Sequence, residues 1–239
     1  MHNLFWQALN IIFPITCAVC GRCLPWDDKR RVCDACFKEI KFVESYCLKC
    51  GKPLFYGGAH CHACLKPRVR YSFEFLRSAC LYKGVVRRTI HLFKYSGKEY
   101  LGDMLGGLLA EYIRNKPDFP IGEVDEVMPV PLHWTRKLFR GYNQSELLSR
   151  RVAGAFGKEL VLKAGYRKKI TKPQFRLSRE KRLENMKGAF GINGNSSVKN
   201  KIILVIDDIC TTGSTLEEFC AVLKKAGAKR IYGLTVARG

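Results

Sequence analysis

Eight of the twelve cysteines fall into four CxxC pairs: Cys17/Cys20, Cys33/Cys36, Cys47/Cys50 and Cys61/Cys64. Two thiolates at that spacing fill one side of a tetrahedral metal site, and two such pairs complete it. Near the other end of the chain the stretch KIILVIDDICTTGST drives five apolar residues, Ile202 to Ile206, into Asp207 and Asp208. Thr211, Thr212, Gly213, Ser214 and Thr215 follow. The first cluster suits a structural zinc. The second offers carboxylates and hydroxyls, which suit a phosphorylated, hydroxylated ligand.

Four CxxC pairs within one short segment favour zinc over redox motifs or disulfides, and zinc thiolates imply a reducing compartment, here the cytoplasm. Sequential pairing gives two successive zinc ribbons; crossed pairing of Cys17/Cys20 with Cys47/Cys50 gives an interleaved module. The similar gaps inside each half and the repeated CxxCG at Cys17 and Cys47 favour the sequential arrangement. Cys23, His60 and His62 are possible substitute ligands that two four-cysteine sites do not need. Cys80, Cys210 and Cys220 read as ordinary small core or loop residues. A segment of this size makes a marginal core alone, and a structural zinc adds on the order of 10 kcal/mol of coupled folding energy.

The apolar run before Asp207 fits a central strand of a parallel sheet. Residues 211–215 then open a helix, where exposed backbone N–H groups and the helix dipole favour an anion. Carboxylates beside a phosphate repel it unless they hold something else, and ribose hydroxyls or a hydrated Mg²⁺ would serve. A Walker B element also ends a strand in acids, but it requires a GxxxxGK[ST] loop. The nearest candidate, Gly157-Lys158-Glu159, has Val152 in place of the first glycine and Glu159 in place of Ser or Thr. A plain N-cap explains one of these side chains, not the string.

The elements that must position these groups alternate strand with helix. Residues 73–83 read as a strand and residues 84–97 as a helix with Val85, Val86, Ile90 and Phe93 on one face. Tyr100 to Asn115 is a second helix, residues 124–133 a buried strand, Asn143 to Phe156 a helix and residues 160–166 a strand. Residues 201–207, Leu216 to Ala226 and 230–238 complete the pattern as strand, helix and strand. Tyr166 to Phe190 holds nine Lys/Arg against two Glu and reads as a long basic excursion, helical around Ser178 to Met186. Alternation of this kind predicts an α/β fold with a parallel sheet, its ligand site beyond the carboxyl ends of the strands.

The 239 residues are 47% apolar, enough for one α/β domain and a small appendage. No run approaches the roughly 18 apolar residues of a membrane span. The opening residues lack the basic region and cleavage site of a secretory leader; Leu4, Phe5, Ala8, Leu9, Ile11 and Ile12 suit one face of a short helix. A formal charge of +21 points to a polyanionic partner.

VIDDICTTGST resembles the phosphoribosyl pyrophosphate (PRPP) signature of type I phosphoribosyltransferases. Nearly the whole chain resembles the ComF family, competence-associated proteins with a zinc module before a phosphoribosyltransferase domain. The CxxC pairs, LYKGVVRRTIHLFKYSGKEYLG, PVPLHWTRKLFRGYNQSELLSR and the basic excursion all take part. The resemblance implies residues 1–68 as an N-terminal helix and double zinc ribbon, and 69–239 as a phosphoribosyltransferase-like domain. It assigns Asp207 and Asp208 to the ribose hydroxyls, and Thr211, Thr212, Gly213, Ser214 and Thr215 to the 5-phosphate. It makes Val130-Pro131-Leu132 a pyrophosphate loop, with an unusual peptide geometry before Leu132. Arg136 and Arg140 would reach the leaving pyrophosphate. Lys172, Gln174, Arg176, Arg179 and Arg182 would lie on a closing loop, with Lys172 and Arg176 as catalytic cations. The implied cofactors are two Zn²⁺ and Mg²⁺ with PRPP, and the implied work is DNA uptake on the cytoplasmic side. The aromatics Trp134, Phe139, Tyr142 and Phe175 among basic residues would suit single-stranded DNA, and a translocation helicase is an implied partner.

Overall fold

A computed structural model describes residues 14–66, 70–170, 186–194 and 198–239. The expected N-terminal helix and Lys172, Gln174, Phe175, Arg176, Arg179 and Arg182 lie outside the described residues.

Five strands form a parallel sheet: β1 (Phe75–Leu81), β2 (Glu126–Pro129), β3 (Glu159–Leu160), β6 (Ile202–Cys210) and β7 (Arg230–Arg238), in the order β1-β7-β6-β2-β3. Alternation along β6 sends Ile203 and Val205 to one face and Leu204 and Ile206 to the other. Each face has its own core. One lies under helices α3 (Gly84–Tyr95), α4 (Leu101–Arg114) and α6 (Gln144–Phe156). The other lies under α7 (Ser214–Lys225), where Leu216, Phe219, Cys220 and Leu223 meet Ile203, Val205 and Ile231. A parallel sheet covered on both faces explains why β6 reads as an unbroken apolar run.

Residues 160–166 do not form one strand. Glu159–Leu160 joins the main sheet beside β2, while β4 (Gly165–Arg167) turns away to pair antiparallel with β5 (Phe190–Ile192). The two-stranded sheet rests on α7, where the Gly188 N–H donates to Glu218 Oε1 at 2.6 Å. A side chain at Gly165 would place Cβ 2.4 Å from the Phe219 ring, so only glycine lets β4 approach. Tyr166, Arg167 and Phe190, expected in the basic excursion, are thus strand residues. Of the strand expected over residues 124–133 only Glu126–Pro129 forms, and helix α5 (Trp134–Arg140), which nothing in the sequence pattern marks, follows it.

The first zinc ribbon contains α1 (Asp34–Lys38) and the second α2 (His62–Leu65). Their first knuckles are copies. Gly21 N–H donates to Cys17 O and Gly51 N–H to Cys47 O, both at 2.9 Å, with each glycine at positive φ. The pairing Thr16 with Cys23 recurs as Tyr46 with Pro53. The module covers the outer edge of β1. Val43 N–H donates to Ala79 O, Leu81 N–H to Lys41 O and Leu76 N–H to Lys49 O, while Arg77 Nη1 reaches Leu48 O at 2.7 Å. An exposed edge strand invites pairing with other chains, and here it is satisfied internally. The opposite edge, β3, has only two residues.

Candidate functional site

Each ribbon gathers one thiol set. Cys17, Cys20, Cys33 and Cys36 form the first; Cys47, Cys50, Cys61 and Cys64 form the second, with ligand atoms within 4.8 Å of one another in each set. The pairing is sequential, and soft sulfur donors in fours suit zinc. Burial raises the Cys17 thiol, but the backbone donors of Cys20, Cys33 and Val19 outweigh it and hold the group at about 6. Cys47 is held at about 6 in the same way, burial opposing the amides of Cys50 and Cys61. Cys17 and Cys47 are thus the thiols most readily presented as thiolate, while burial pushes Cys50 up to about 11. Zinc would supply the crosslink that lets each small ribbon fold.

The second site is at the carboxyl end of β6. Asp207 and Asp208 emerge there, Asp208 buried, and Thr211 to Gly213 turn into α7. Gly213 has φ +82, a left-handed conformation that glycine adopts without strain, and it places the loop amides at the helix start. Thr212 Oγ1 lies 2.9 Å from Ser214 Oγ. A cavity of about 20 Å³ lies among Asp207, Thr211, Gly213, Ser214, Thr215 and Thr235.

Asp207 accepts from Ser145 Oγ at 2.8 Å and from the Asp208 N–H at 2.9 Å. Ser145 stands in the first turn of α6, fixed by the Asn143 cap, whose Oδ1 accepts from Ser145 N–H. Burial, then the neighbouring Asp208 charge, raises Asp207 to about 6, with Lys94 and Ser145 acting in the opposite direction. Lys94, near the end of α3, places Nζ 2.8 Å from Asp208 Oδ2. Burial alone would lower Lys94; the carboxylates of Asp208 and Asp207 outweigh that and keep it an ammonium.

Val130, Pro131 and Leu132 face this end of the sheet. Val130 N–H donates to Ile206 O at 2.9 Å, and Asn143 Nδ2 donates to Val130 O. The peptide before Leu132 is trans, where an unusual geometry was expected, and these two bonds hold Val130 as a continuation of β2. His133 caps α5, accepting from Thr135 N–H, and burial, then the charges of Arg167 and Arg136, lower its imidazole titration. Arg136, Arg140 and Arg167 act on one another. Burial and then Arg136 push Arg167 down to about 10, while Asp207 pulls it up. Burial and then Arg140 lower Arg136. Arg140 donates to Gln144 Oε1 at 2.9 Å and lies 5.1 Å from the Tyr95 ring centroid. Two guanidiniums on α5 and one at the end of β4, coupled through their charges, suit a polyanion.

The structure thus brings the Asp pair, the threonine loop and the Val130 turn to one end of the sheet, with Arg136 and Arg140 linked to Asp207 through Arg167. It adds Lys94, Ser145 and Arg167. Lys94 and Ser145 each sat in a quoted motif and Arg167 in the basic run, but their pairing across the chain had no sequence signal.

A parallel sheet ending in this site, behind two four-cysteine ribbons, defines a phosphoribosyltransferase-fold protein with a double zinc ribbon. The pattern of the double zinc ribbon domain matches residues 8–65, and that of the phosphoribosyl transferase domain matches residues 146–238. Competence protein F of Haemophilus influenzae is 31% identical over 212 residues, 88% of this chain and 91% of its own. The chain belongs to this competence protein F (ComF) family. DNA utilization protein YhgH of Escherichia coli (strain K12) is 28% identical over 84% of this chain and 87% of its own. Competence protein ComFC of Bacillus subtilis is 27% identical over 99% of this chain and 90% of its own. No helix among the described residues is long and apolar enough to cross a membrane.

Proposed function

We propose that this chain binds PRPP with Mg²⁺ and serves the cytoplasmic handling of DNA taken up by the cell. The observation that supports the ligand is the junction of Asp207 and Asp208 with the 211–215 loop, with Arg136, Arg140 and Arg167 nearby. The 5-phosphate would rest on the loop amides and hydroxyls, and the ribose hydroxyls would donate to the carboxylates. The pyrophosphate, with Mg²⁺ neutralising part of its charge, would extend past Val130–Leu132 toward the arginines. In a transfer reaction the C1–O bond breaks with its electron pair leaving on pyrophosphate, while an acceptor lone pair forms the new bond to C1. Donors fixed around the leaving group favour that separation. The names of the relatives support the DNA setting: competence in Haemophilus influenzae and Bacillus subtilis, DNA utilization in Escherichia coli.

A second reading is a non-catalytic module that binds single-stranded DNA or a helicase partner. It draws on α5, where Trp134 is 67% and Phe139 87% exposed beside Lys137 and the site arginines. Exposed aromatics among cations suit stacked bases. Titration calorimetry with PRPP and Mg²⁺ tests the ligand: Asp207→Asn with Asp208→Asn should abolish the heat, and unchanged affinity would make the site assignment wrong. Release of pyrophosphate on adding an acceptor marks an enzyme. Oligonucleotide binding that weakens steeply with salt, and survives the double substitution, marks the binding module.

A further inference from the structure

LYKGVVRRTIHLFKYSGKEYLG is the quoted motif to which the proposed function gives no task, and Lys94 belongs to it. Helix α3 ends one residue later, so the ammonium stands at a helix C-terminus, where a cation is favoured. The next residue, Tyr95, carries the Arg140 guanidinium against its ring. Lys94 therefore holds Asp208 while its chain neighbour Tyr95 holds one of the arginines.

The two aspartates are held in different ways. Asp207 receives a serine hydroxyl and a backbone N–H, donors fixed by a helix cap and by the strand itself. Asp208 receives the Lys94 ammonium, its donor among the described residues. A lysine has a four-carbon stem with free rotation and a point charge; an arginine would grip the carboxylate with two bonds and a rigid fork. A buried carboxylate needs a donor in every state of the site, and a buried ammonium needs an anion.

We propose that Lys94 is a transferable cation: it neutralises Asp208 in the ligand-free protein and moves onto the ligand's pyrophosphate when a ribose hydroxyl takes its place on Asp208. This rests on the reading that the site takes PRPP. Both groups then keep a partner throughout. Asp208 exchanges an ammonium for a hydroxyl, and Lys94 exchanges a carboxylate for a diphosphate, joining Arg136 and Arg140.

The test compares two ligands that share ribose and 5-phosphate but differ in the pyrophosphate. Calorimetry with PRPP and with ribose 5-phosphate, both in Mg²⁺, is run on the zinc-loaded wild type and on Lys94→Met. The wild type should bind both. Lys94→Met should lose at least tenfold in PRPP affinity and hold or improve its affinity for ribose 5-phosphate. An equal loss for both ligands, or no loss for PRPP, overturns the hand-over. A wild type that binds neither ligand removes the PRPP reading and the inference with it. Should Lys94→Met fail to fold around an unpaired Asp208, the same pair of titrations on Asp208→Asn and on Asp208→Asn with Lys94→Met decides the matter. The ratio of PRPP to ribose 5-phosphate affinity should drop tenfold when the lysine is removed, and an unchanged ratio overturns the proposal.

Discussion

Ser145 Oγ donates to Asp207 Oδ1 across 2.8 Å, joining the first turn of α6 to the end of β6. A hydroxyl that donates to a carboxylate favours its charged form. Ser145→Ala should therefore raise the Asp207 titration further and leave that carboxylate less well aimed. We expect PRPP affinity at pH 7.5 to fall by about one order of magnitude, in keeping with a bond to a charged group of roughly 1.5 kcal/mol. Calorimetry on the variant checks this.

The Asp207 titration at about 6 makes ligand binding pH-dependent. Ribose hydroxyls bind the ionised carboxylate, so affinity should be level above pH 7 and fall about tenfold per unit below pH 6. Stability of the ligand-free protein runs the other way. The folded value lies above the ordinary 3.8, so the folded state takes up more protons than the unfolded state between those values. The contribution of Asp207 is thus greatest at low pH and is lost as pH rises through 6. Asp207→Asn should raise the ligand-free melting temperature at pH 7.5 by about 3 °C while abolishing PRPP binding. Calorimetric scans with and without ligand separate the two effects.

Two knuckle glycines offer a matched pair. Gly51 has φ +67, and a Cβ there would lie 2.5 Å from Leu76 O; Gly21 has φ +79 and open space around it. Gly21→Ala should cost about 1 kcal/mol, the strain of the left-handed backbone alone. Gly51→Ala must also push the ribbon off β1 and should cost about 3 kcal/mol or more. Urea denaturation of both variants measures the difference.

Removing zinc should do more than unfold the ribbons. Their backbone holds the β1 edge through Ala79, Leu81 and Leu76. A strong chelator should release two zinc per chain and expose that edge, and light scattering should rise as free edges pair between molecules. Cys47→Ser should lose one zinc and give the same result, because its ribbon supplies the Lys49 and Leu48 carbonyls.

The strand-to-loop motif at Asp207 was legible because its parts are contiguous: apolar residues, acids, hydroxyls and a glycine follow one another along one strand and helix start. The two ribbons were legible because zinc ligands repeat at fixed spacing. Ser145 and Lys94 were not, because their roles come from partners far along the chain that meet only when α6 and α3 pack on one sheet face. Residues 160–166 misled because both of their pieces have strand-like composition; the break is dictated by where β2 offers a partner and where Phe219 leaves room for Gly165. Helix α5 was missed because Trp134, Leu138 and Phe139 lie exposed, so no buried stripe marks it.

The order β1-β7-β6 places the strand latest in the sequence between two earlier ones. On one side of β7 stands the strand bound to the zinc ribbons; on the other stands the strand that ends in the aspartates. A ribosome delivers β1 and β6 first, and they cannot be joined until β7 has emerged. During synthesis the ribbons can take up their metal and mask one border of β1, while its other border waits for β7. The half of the sheet that carries the ribbons and the half that carries the aspartates are thereby joined only on the arrival of residues 230–238.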